Sequence, residues 1–159
     1  MLSIDEITRI EDRYCQNGEQ SLGEAFKELL HRWERGQRDR ETAFRLLFLS
    51  WYASAEPDWL TGLTGSPDAG AVFRRLSEHL DEQLEGDDEY HFVAGYMATL
   101  FPWCCGDEAE WTKRGRKHLR RVKSAALIGD PMIFSGRGAY GHYFAHIVRQ
   151  GGARTLPKQ

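Results

Sequence analysis

The sequence predicts an all-α fold of about seven helices packed as antiparallel helical hairpins. Apolar residues recur at helical spacing along most of the chain, capping residues precede these stripes, and glycine or proline follows them. A length of 159 residues fits one domain, whose folding removes roughly 70% of the unfolded surface from water. We therefore expect a single α-helical domain over 1–150 and a mobile C-terminal tail over 151–159.

The first three helices each begin at a capping residue. Ser3 opens a capping-box pattern that predicts a helix over about 4–16. Ser21 begins a second helix, whose apolar stripe continues to Gly36. Asp39 begins a third, and its segment AFRLLFLSWYA is apolar nearly all round, which is typical of a helix enclosed by its neighbours. We expect this third helix to be the central one.

The second half of the chain predicts four more helices. The segment after Pro57 is rich in Gly, Pro, Ser and Asp, and the segment ALIGDPMIFSGRG has two turn signals and only short apolar runs. We interpret both segments as loops. The four helices run from Ser66 and Pro67 to Gly86, from Asp87 or Asp88 to Pro102, over about 108–124 and over about 137–149.

Two of the helical pairs resemble each other. Phe26 and Leu29 match Phe73 and Leu76, which lie 47 positions later. A period of about this length built from two helices is typical of a short irregular α-solenoid, an armadillo- or HEAT-like array. Alternatively, the two pairs are similar only because all amphipathic hairpins share one pattern of apolar residues.

Cysteine usage and hydropathy indicate the cellular setting. The three cysteines, one at Cys15 and two at Cys104 and Cys105, lack the spacing of a disulfide framework. The first residues carry acids and no apolar signal-peptide core, and the most apolar tract, 43–55, is shorter than a membrane span. We expect a cytoplasmic protein that binds no membrane.

No motif in the sequence completes a catalytic, metal or cofactor site, and we predict none. The segment 136–141 fits G-x-G-x-x-G, but no predicted strand precedes it and no acid follows Asp130, so its glycines indicate a tight turn and close helix packing. His118 lies on the apolar side of its helix and is expected to be a hydrogen-bonded core histidine. Two pairs at ligand spacing, Glu28 with His31 and Asp88 with His91, are expected on solvated faces. His142 and His146 lie near the edge of an apolar face, where a metal would need a third ligand.

Arg45 is the one charge inside the predicted central helix. A buried guanidinium needs a carboxylate partner, for which Glu56 and Asp58 are the candidates. A structural ion pair is one interpretation, and a cleft that binds an anionic ligand is the other. The residues of this possible cleft are Arg45, Trp51, Tyr52, Glu56, Asp58 and Trp59.

Charge divides the chain into two parts. Residues 112–159 hold 11 Lys or Arg against one acid, whereas residues 1–111 hold 10 basic against 23 acidic residues. The predicted sixth helix is therefore a basic amphipathic helix. The predicted partner- or anion-binding residues are Lys113, Arg114, Arg116, Lys117, Arg120, Arg121, Lys123 and Arg137. The acidic counterpart comprises Glu78, Asp81, Glu82, Glu85, Asp87, Asp88 and Glu89.

Two interpretations of this charge division stay open. The basic face is either solvated and partly neutralised by acids of the same molecule, or it docks an acidic protein. Our leading hypothesis is a non-enzymatic intracellular protein-interaction module of the adaptor, regulator or toxin-neutralising type. One alternative is nucleic-acid binding through 112–123, against which a pI near 6.1 argues. Another is a small-ligand or metal-dependent enzyme of unrecognised type.

Overall fold

The computed structural model describes residues 1–63 and 68–151, which are largely helical and contain no strand. The predicted all-α class is confirmed. The helices of these ranges are α1 (Ile4–Asn17), α2 (Leu22–Glu34), α3 (Arg40–Ala55), α4 (Asp58–Thr61), α5 (Ala69–Gln83), α6 (Asp88–Leu100), α7 (Pro102–Cys105), α8 (Glu108–Leu119), α9 (Ala125–Gly129), a 3-10 helix (Pro131–Phe134) and α10 (Gly138–Arg149).

Capping side chains begin most of the long helices. A side-chain oxygen accepts the backbone N–H three residues later at Ser3, Asp39, Asp68, Asp87 and Asp107. Ser21 differs, because its side chain makes no capping hydrogen bond to α2. Its hydroxyl instead donates to the carbonyl of Ile10 at 2.7 Å and so joins the start of α2 to α1. The predicted start of the fourth helix at 66–67 lies outside the described residues.

Short helices occupy the segments that the sequence predicts as loops. They are α4, α9 and the 3-10 helix, and α7 begins at Pro102, which the sequence predicts only as a helix end. Helix α8 ends at Leu119, earlier than the predicted residue 124, because Asp88 of α6 accepts the backbone N–H groups of Lys123 and Ser124 at 3.1 and 2.7 Å. Helices of one turn have little periodicity of their own, so tertiary contacts decide whether they form.

Helix α3 is central, as predicted, and α6 is a second enclosed helix. Every residue from Thr42 to Tyr52 of α3 and from Tyr90 to Ala98 of α6 is buried. Helices α2 and α5 pack on α3, whereas α8 packs along α6. Helix α8 therefore covers one side of α6 and presents its other side to solvent.

Two glycines bring α6 and α8 close together. A Cβ atom at Gly95 would lie 2.7 Å from the side chain of Leu119, and one at Gly115 would lie 3.1 Å from the carbonyl oxygen of Gly95. Only glycine permits such an approach of two backbones. This contact fixes the orientation of α8 and, with it, the direction of its basic side chains.

The ends of the described chain pack against each other through α1 and α10. In an open array of repeats, each unit contacts only its neighbours, so this contact closes the arrangement. One hydrophobic cluster includes residues from Ile7 of α1 to Val148 of α10. In the two described ranges, no helix has the length and apolar character needed to cross a membrane.

Candidate functional site

The acidic and basic segments meet between α5 and α8. The guanidinium of Arg114 lies 2.8 Å from a carboxylate oxygen of Asp81 and also packs on a tryptophan ring, with its carbon 4.1 Å from the centroid of Trp111. Just beyond the C-terminal ends of the two helices, Arg121 lies 3.7 Å from the carboxylate of Glu85. Two of the predicted binding residues are therefore paired within the molecule.

Five other basic residues of this segment extend into solvent, and we call them the basic ribbon. All five side chains are exposed, and no carboxylate of the described residues lies within 4 Å of their charged groups. The ribbon comprises Lys113, Arg116, Lys117, Arg120 and Lys123. At about 100° per residue, positions 113, 116, 117 and 120 lie within a sector of about 100° on one face of α8. The ribbon is thus one continuous positive stripe, about 10 Å long from Lys113 to Arg120 at 1.5 Å per residue.

A polar pocket of about 200 Å³ adjoins the ribbon at Lys117, between α5, α6 and α8. Inside it, the Nδ1 atoms of His91 and His118 are 2.9 Å apart. The Nε2 atom of His91 lies 2.7 Å from the backbone carbonyl oxygen of Glu85, and that of His118 lies 3.3 Å from the carboxylate of Asp81. The two rings therefore form a hydrogen-bonded chain from a carbonyl to a carboxylate.

The two histidines differ in how well the sequence predicts them. His118 is a hydrogen-bonded histidine packed against α6, as predicted. The prediction that His91 is solvated is wrong, because its side chain is only 2% exposed. Its position opposite the apolar stripe of α6 suggests a side chain exposed to solvent, but α8 covers that face of the helix.

Asp81 is the shared acceptor of this pocket. It accepts the hydroxyl of Tyr90 at 2.7 Å as well as Arg114 and His118. Burial raises the pKa of Asp81, but the hydrogen bonds from His118 and Tyr90 and the neighbouring cations lower it by more, so the net pKa is far below its usual range. Asp81 is consequently ionised throughout the neutral range.

Arg45 forms a buried ion pair whose partner the sequence predicts wrongly. Its guanidinium donates to the carboxylate of Glu11 at 3.0 Å and to the hydroxyl of Thr8 at 2.7 Å, and both side chains of the pair are almost fully buried. The expected partners were Glu56 and Asp58. They lie beyond the C-terminal end of α3, whereas the side chain of Arg45 extends towards α1.

Arg137 belongs to the same ionic network. It contacts the carboxylates of Glu41 and Glu89 at 2.5 and 2.6 Å, and Glu41 also lies 3.4 Å from the guanidinium of Arg45. The hydroxyl of Tyr140 donates to Glu89. Through these contacts Arg137 joins α3, α6 and the start of α10. The sequence predicted Arg137 as a binding residue, but the structure pairs it with acids of its own chain, outside the ribbon.

The carboxylate of Glu11 occupies the N-terminus of α10. The backbone N–H of Ala139 lowers the pKa of this carboxyl, and a Cβ atom at Gly138, whose φ is +59°, would lie 1.6 Å from its Oε2 atom. A helix N-terminus attracts anions, and here an internal carboxylate fills the position that a phosphate takes in nucleotide-binding turns. The interpretation of these glycines as a tight turn with close packing is confirmed. Burial raises the pKa of Glu11 to about 7, although Arg45 and Ala139 oppose the rise.

The residues of the predicted cleft do not form one site. Tyr52 lines a cleft of about 300 Å³ between α1, α3 and α10, but Arg45 is buried against Glu11 and contributes no charge to it. Of the other residues, Trp51 is buried, Glu56 is partly buried, and Asp58 and Trp59 are exposed.

Two tryptophans are unusually exposed. Trp59 is 73% exposed and Trp103 is 60% exposed. The thiol of Cys104 donates to the backbone carbonyl of Ser54 at 3.3 Å, which places α7 beside the end of α3. Helix α7 also packs against α8, so Trp103 lies near the N-terminal part of the helix that carries the ribbon.

The remaining histidines at ligand spacing are exposed. His31 is exposed, as expected for a solvated position, and so are His142 and His146, which were expected at the edge of an apolar face. Within residues 1–63 and 68–151, no group of three or more His, Cys, Asp or Glu side chains is arranged to hold a metal ion.

Glu11 is the main residue that the sequence reasoning missed. It lies one helical turn after Ile7 and beside Ile10, inside the apolar stripe of α1, and is fully buried. A carboxylate within an apolar stripe requires a buried partner, so the sequence itself indicates an ion pair at this position. Tyr14 lies about one turn after Glu11 and lines the cleft beside Tyr52.

Comparisons of this chain with protein-family models, with curated proteins and with solved structures returned no match.

Proposed function

We propose that this chain is a protein-interaction module whose basic ribbon docks an acidic surface of a partner protein. The observation that carries the proposal is the contrast within the basic segment. Arg114 and Arg121 are paired with acids, while the five ribbon cations stay exposed along one stripe. Exposed charges contribute little to the stability of a fold, but they steer and orient a complementary partner.

Trp103, on helix α7 that packs against α8, supplies an exposed aromatic side chain for the same partner. Arg and Trp are the residues that most often dominate binding energy at protein interfaces. A partner that covers the ribbon and reaches α7 would combine charge complementarity with burial of one exposed indole. An adaptor, a regulator and a toxin-neutralising protein all act through a surface of this kind.

The charge around the ribbon favours a protein over a nucleic acid. Asp81 and Glu85 lie beside it, and the whole chain has a net charge of −3. Nucleic-acid-binding domains commonly carry an extended basic surface and a high pI, because each phosphate contact requires a cation. A stripe about 10 Å long, bordered by acids, matches a small acidic patch on a protein better.

Affinity capture from the native host tests the proposal. The immobilised variant Lys113→Glu, Arg116→Glu, Lys117→Glu and Arg120→Glu is compared with the wild type and with a control of equal charge change. The control reverses four exposed cations that lie away from α8 and form no ion pair among the described residues: Arg9, Lys27, Arg35 and Arg74. Circular dichroism establishes that all three proteins are folded.

The expected result is an acidic protein that the wild type and the control capture, that resists nuclease treatment, and that the ribbon variant loses. Capture that disappears after nuclease treatment would instead support nucleic-acid binding through 112–123. A captured protein retained equally by the ribbon variant would refute docking through this surface. A second ribbon variant with Gln at the same four positions should bind more weakly than the wild type, because neutral side chains remove the attraction without adding repulsion.

A further inference from the structure

The cleft beside Tyr52 is a second candidate binding site, remote from the ribbon. It has a volume of about 300 Å³, at the lower end of the range for small-ligand pockets. Tyr14, Phe48, Tyr52 and Tyr143 line it, together with Cys15 and His142, and most of its lining surface is apolar. No lysine or arginine is among the residues that line it.

The aromatic rings of the cleft form one connected cluster. Tyr52 stacks on Phe48 with ring centroids 5.0 Å apart, and Tyr143 lies 5.2 Å from Phe48. Tyr143 meets Tyr52 edge to face at 5.8 Å, and the hydroxyls of Tyr14 and Tyr52 are 3.2 Å apart. Packing of this kind fixes the ring positions, so the cleft is formed before a ligand binds.

The charges that act on the cleft are negative. Burial raises the pKa of Tyr143 and of Tyr52, and the carboxylate of Glu56 raises both further. Burial also raises the pKa of Cys15 to about 12, with contributions from the acids Glu11 and Asp12. The phenols and the thiol therefore remain neutral near pH 7, and the carboxylates of Asp12 and Glu56, which form no ion pair among the described residues, favour a cation over an anion in the cleft.

The nearest cation of the core offsets only the charge of Glu11. The guanidinium of Arg45 is directed at Glu11 and Thr8, and it does not line the cleft. The sequence suggested an anionic ligand for this region because it placed Arg45 in the cleft. With Arg45 removed from the lining, the preferred sign of the ligand charge is reversed.

We propose that this cleft binds an organic cation with a small apolar body, of the quaternary or methylated ammonium class. The electron-rich faces of tyrosine and phenylalanine attract such cations, and the apolar walls accommodate their methyl groups. A volume of about 300 Å³ excludes large ligands. This inference is independent of the proposed docking function, because the cleft shares no residue with the basic ribbon.

Titration calorimetry with choline and its uncharged isostere 3,3-dimethylbutan-1-ol tests the proposal. The two compounds have the same shape and differ in one positive charge. We expect choline to bind about tenfold more tightly, because the cation–π attraction acts on the charged compound alone. Equal affinity for the two compounds, or the absence of binding by choline in the millimolar range, would overturn the proposal.

Variants of Tyr143 locate the site. Tyr143→Leu keeps an apolar side chain but removes the ring, and we expect it to weaken choline binding by about tenfold. Tyr143→Phe keeps the ring and should bind within about twofold of the wild type, because a phenyl ring is nearly as good a cation–π partner. Trp103→Leu removes an exposed ring outside the cleft and serves as the matched control. Loss of binding in Trp103→Leu, or undiminished binding in Tyr143→Leu, would place the choline elsewhere and refute the assignment.

Discussion

The Nδ1 atoms of His91 and His118 face each other at 2.9 Å, a distance that requires one proton between them. The Nε2 atom of His91 faces the carbonyl of Glu85, which only accepts, so it carries a hydrogen. In the neutral ring, Nδ1 of His91 is then an acceptor, and Nδ1 of His118 must donate. Nε2 of His118 faces the carboxylate of Asp81 at 3.3 Å, so the chain of contacts ends on an acceptor.

The first prediction concerns the positions of these ring hydrogens. Long-range ¹H–¹⁵N spectra should show a hydrogen on Nε2 of His91 and on Nδ1 of His118. The exposed His31, whose ring has no such partners among the described residues, is the internal reference. A hydrogen on Nδ1 of His91 would contradict this interpretation.

The second prediction concerns the stability that Asp81 supplies. Its pKa is lowered in the folded state, so its contribution is present above the unfolded pKa and is lost as the pH falls. We expect Asp81→Asn to lower the free energy of unfolding by about 1–3 kcal/mol near neutral pH. The difference from the wild type should shrink below about pH 4, where the carboxyl of the unfolded chain takes up its proton. Glu82→Gln, an exposed carboxylate of the same helix, should change little in the same denaturation experiment.

The third prediction separates the two glycines that begin the α10 turn. Gly136 and Gly138 both have positive φ, but a Cβ atom at Gly136 meets nothing within 4 Å, whereas one at Gly138 would overlap Glu11. Gly136→Ala should cost about 1–2 kcal/mol through backbone strain alone. Gly138→Ala should cost roughly 3 kcal/mol or more, because steric displacement of a buried carboxylate adds to the strain. Similar losses in chemical denaturation would show that Gly138 has no packing role.

The fourth prediction concerns the pH dependence that Glu11 imposes. Burial raises its pKa to about 7, so between about pH 4.5 and pH 7 the folded state binds more protons at this site than the unfolded chain. This contribution to stability is therefore lost as the pH rises through that window. Relative to Glu11→Gln, the wild type should lose about 1–3 kcal/mol of unfolding free energy from about pH 5 to about pH 8. A constant difference between the two proteins over this range would contradict a raised pKa.

The long helices could be predicted because their signals are local. Ser3, Asp39, Asp87 and Asp107 cap the helices that they were expected to begin. The enclosed character of α3 follows from its apolar composition on all sides. Short elements such as α7 escaped prediction because the contacts that stabilise them come from distant parts of the chain.

The candidate sites were less predictable, because they depend on which helices become neighbours. His91 lies opposite the apolar stripe of its own helix, and only the packing of α8 on α6 makes it buried. Arg45 was correctly expected to need a carboxylate, but Glu11 lies 34 positions earlier in the chain. The basic ribbon could be listed as a set of charges, whereas the acids that neutralise Arg114 and Arg121 became clear only from the packing of α5 against α8.

The salt dependence of partner binding tests the central proposal most directly. Calorimetry with the purified acidic partner should show an affinity that falls as salt rises, because the ribbon charges are exposed to screening. Reversal of Lys113, Arg116, Lys117 and Arg120 should weaken binding at least about tenfold and flatten the salt dependence. The control that reverses Arg9, Lys27, Arg35 and Arg74 should retain both properties. Unchanged affinity and salt dependence in the ribbon variant would contradict docking through α8.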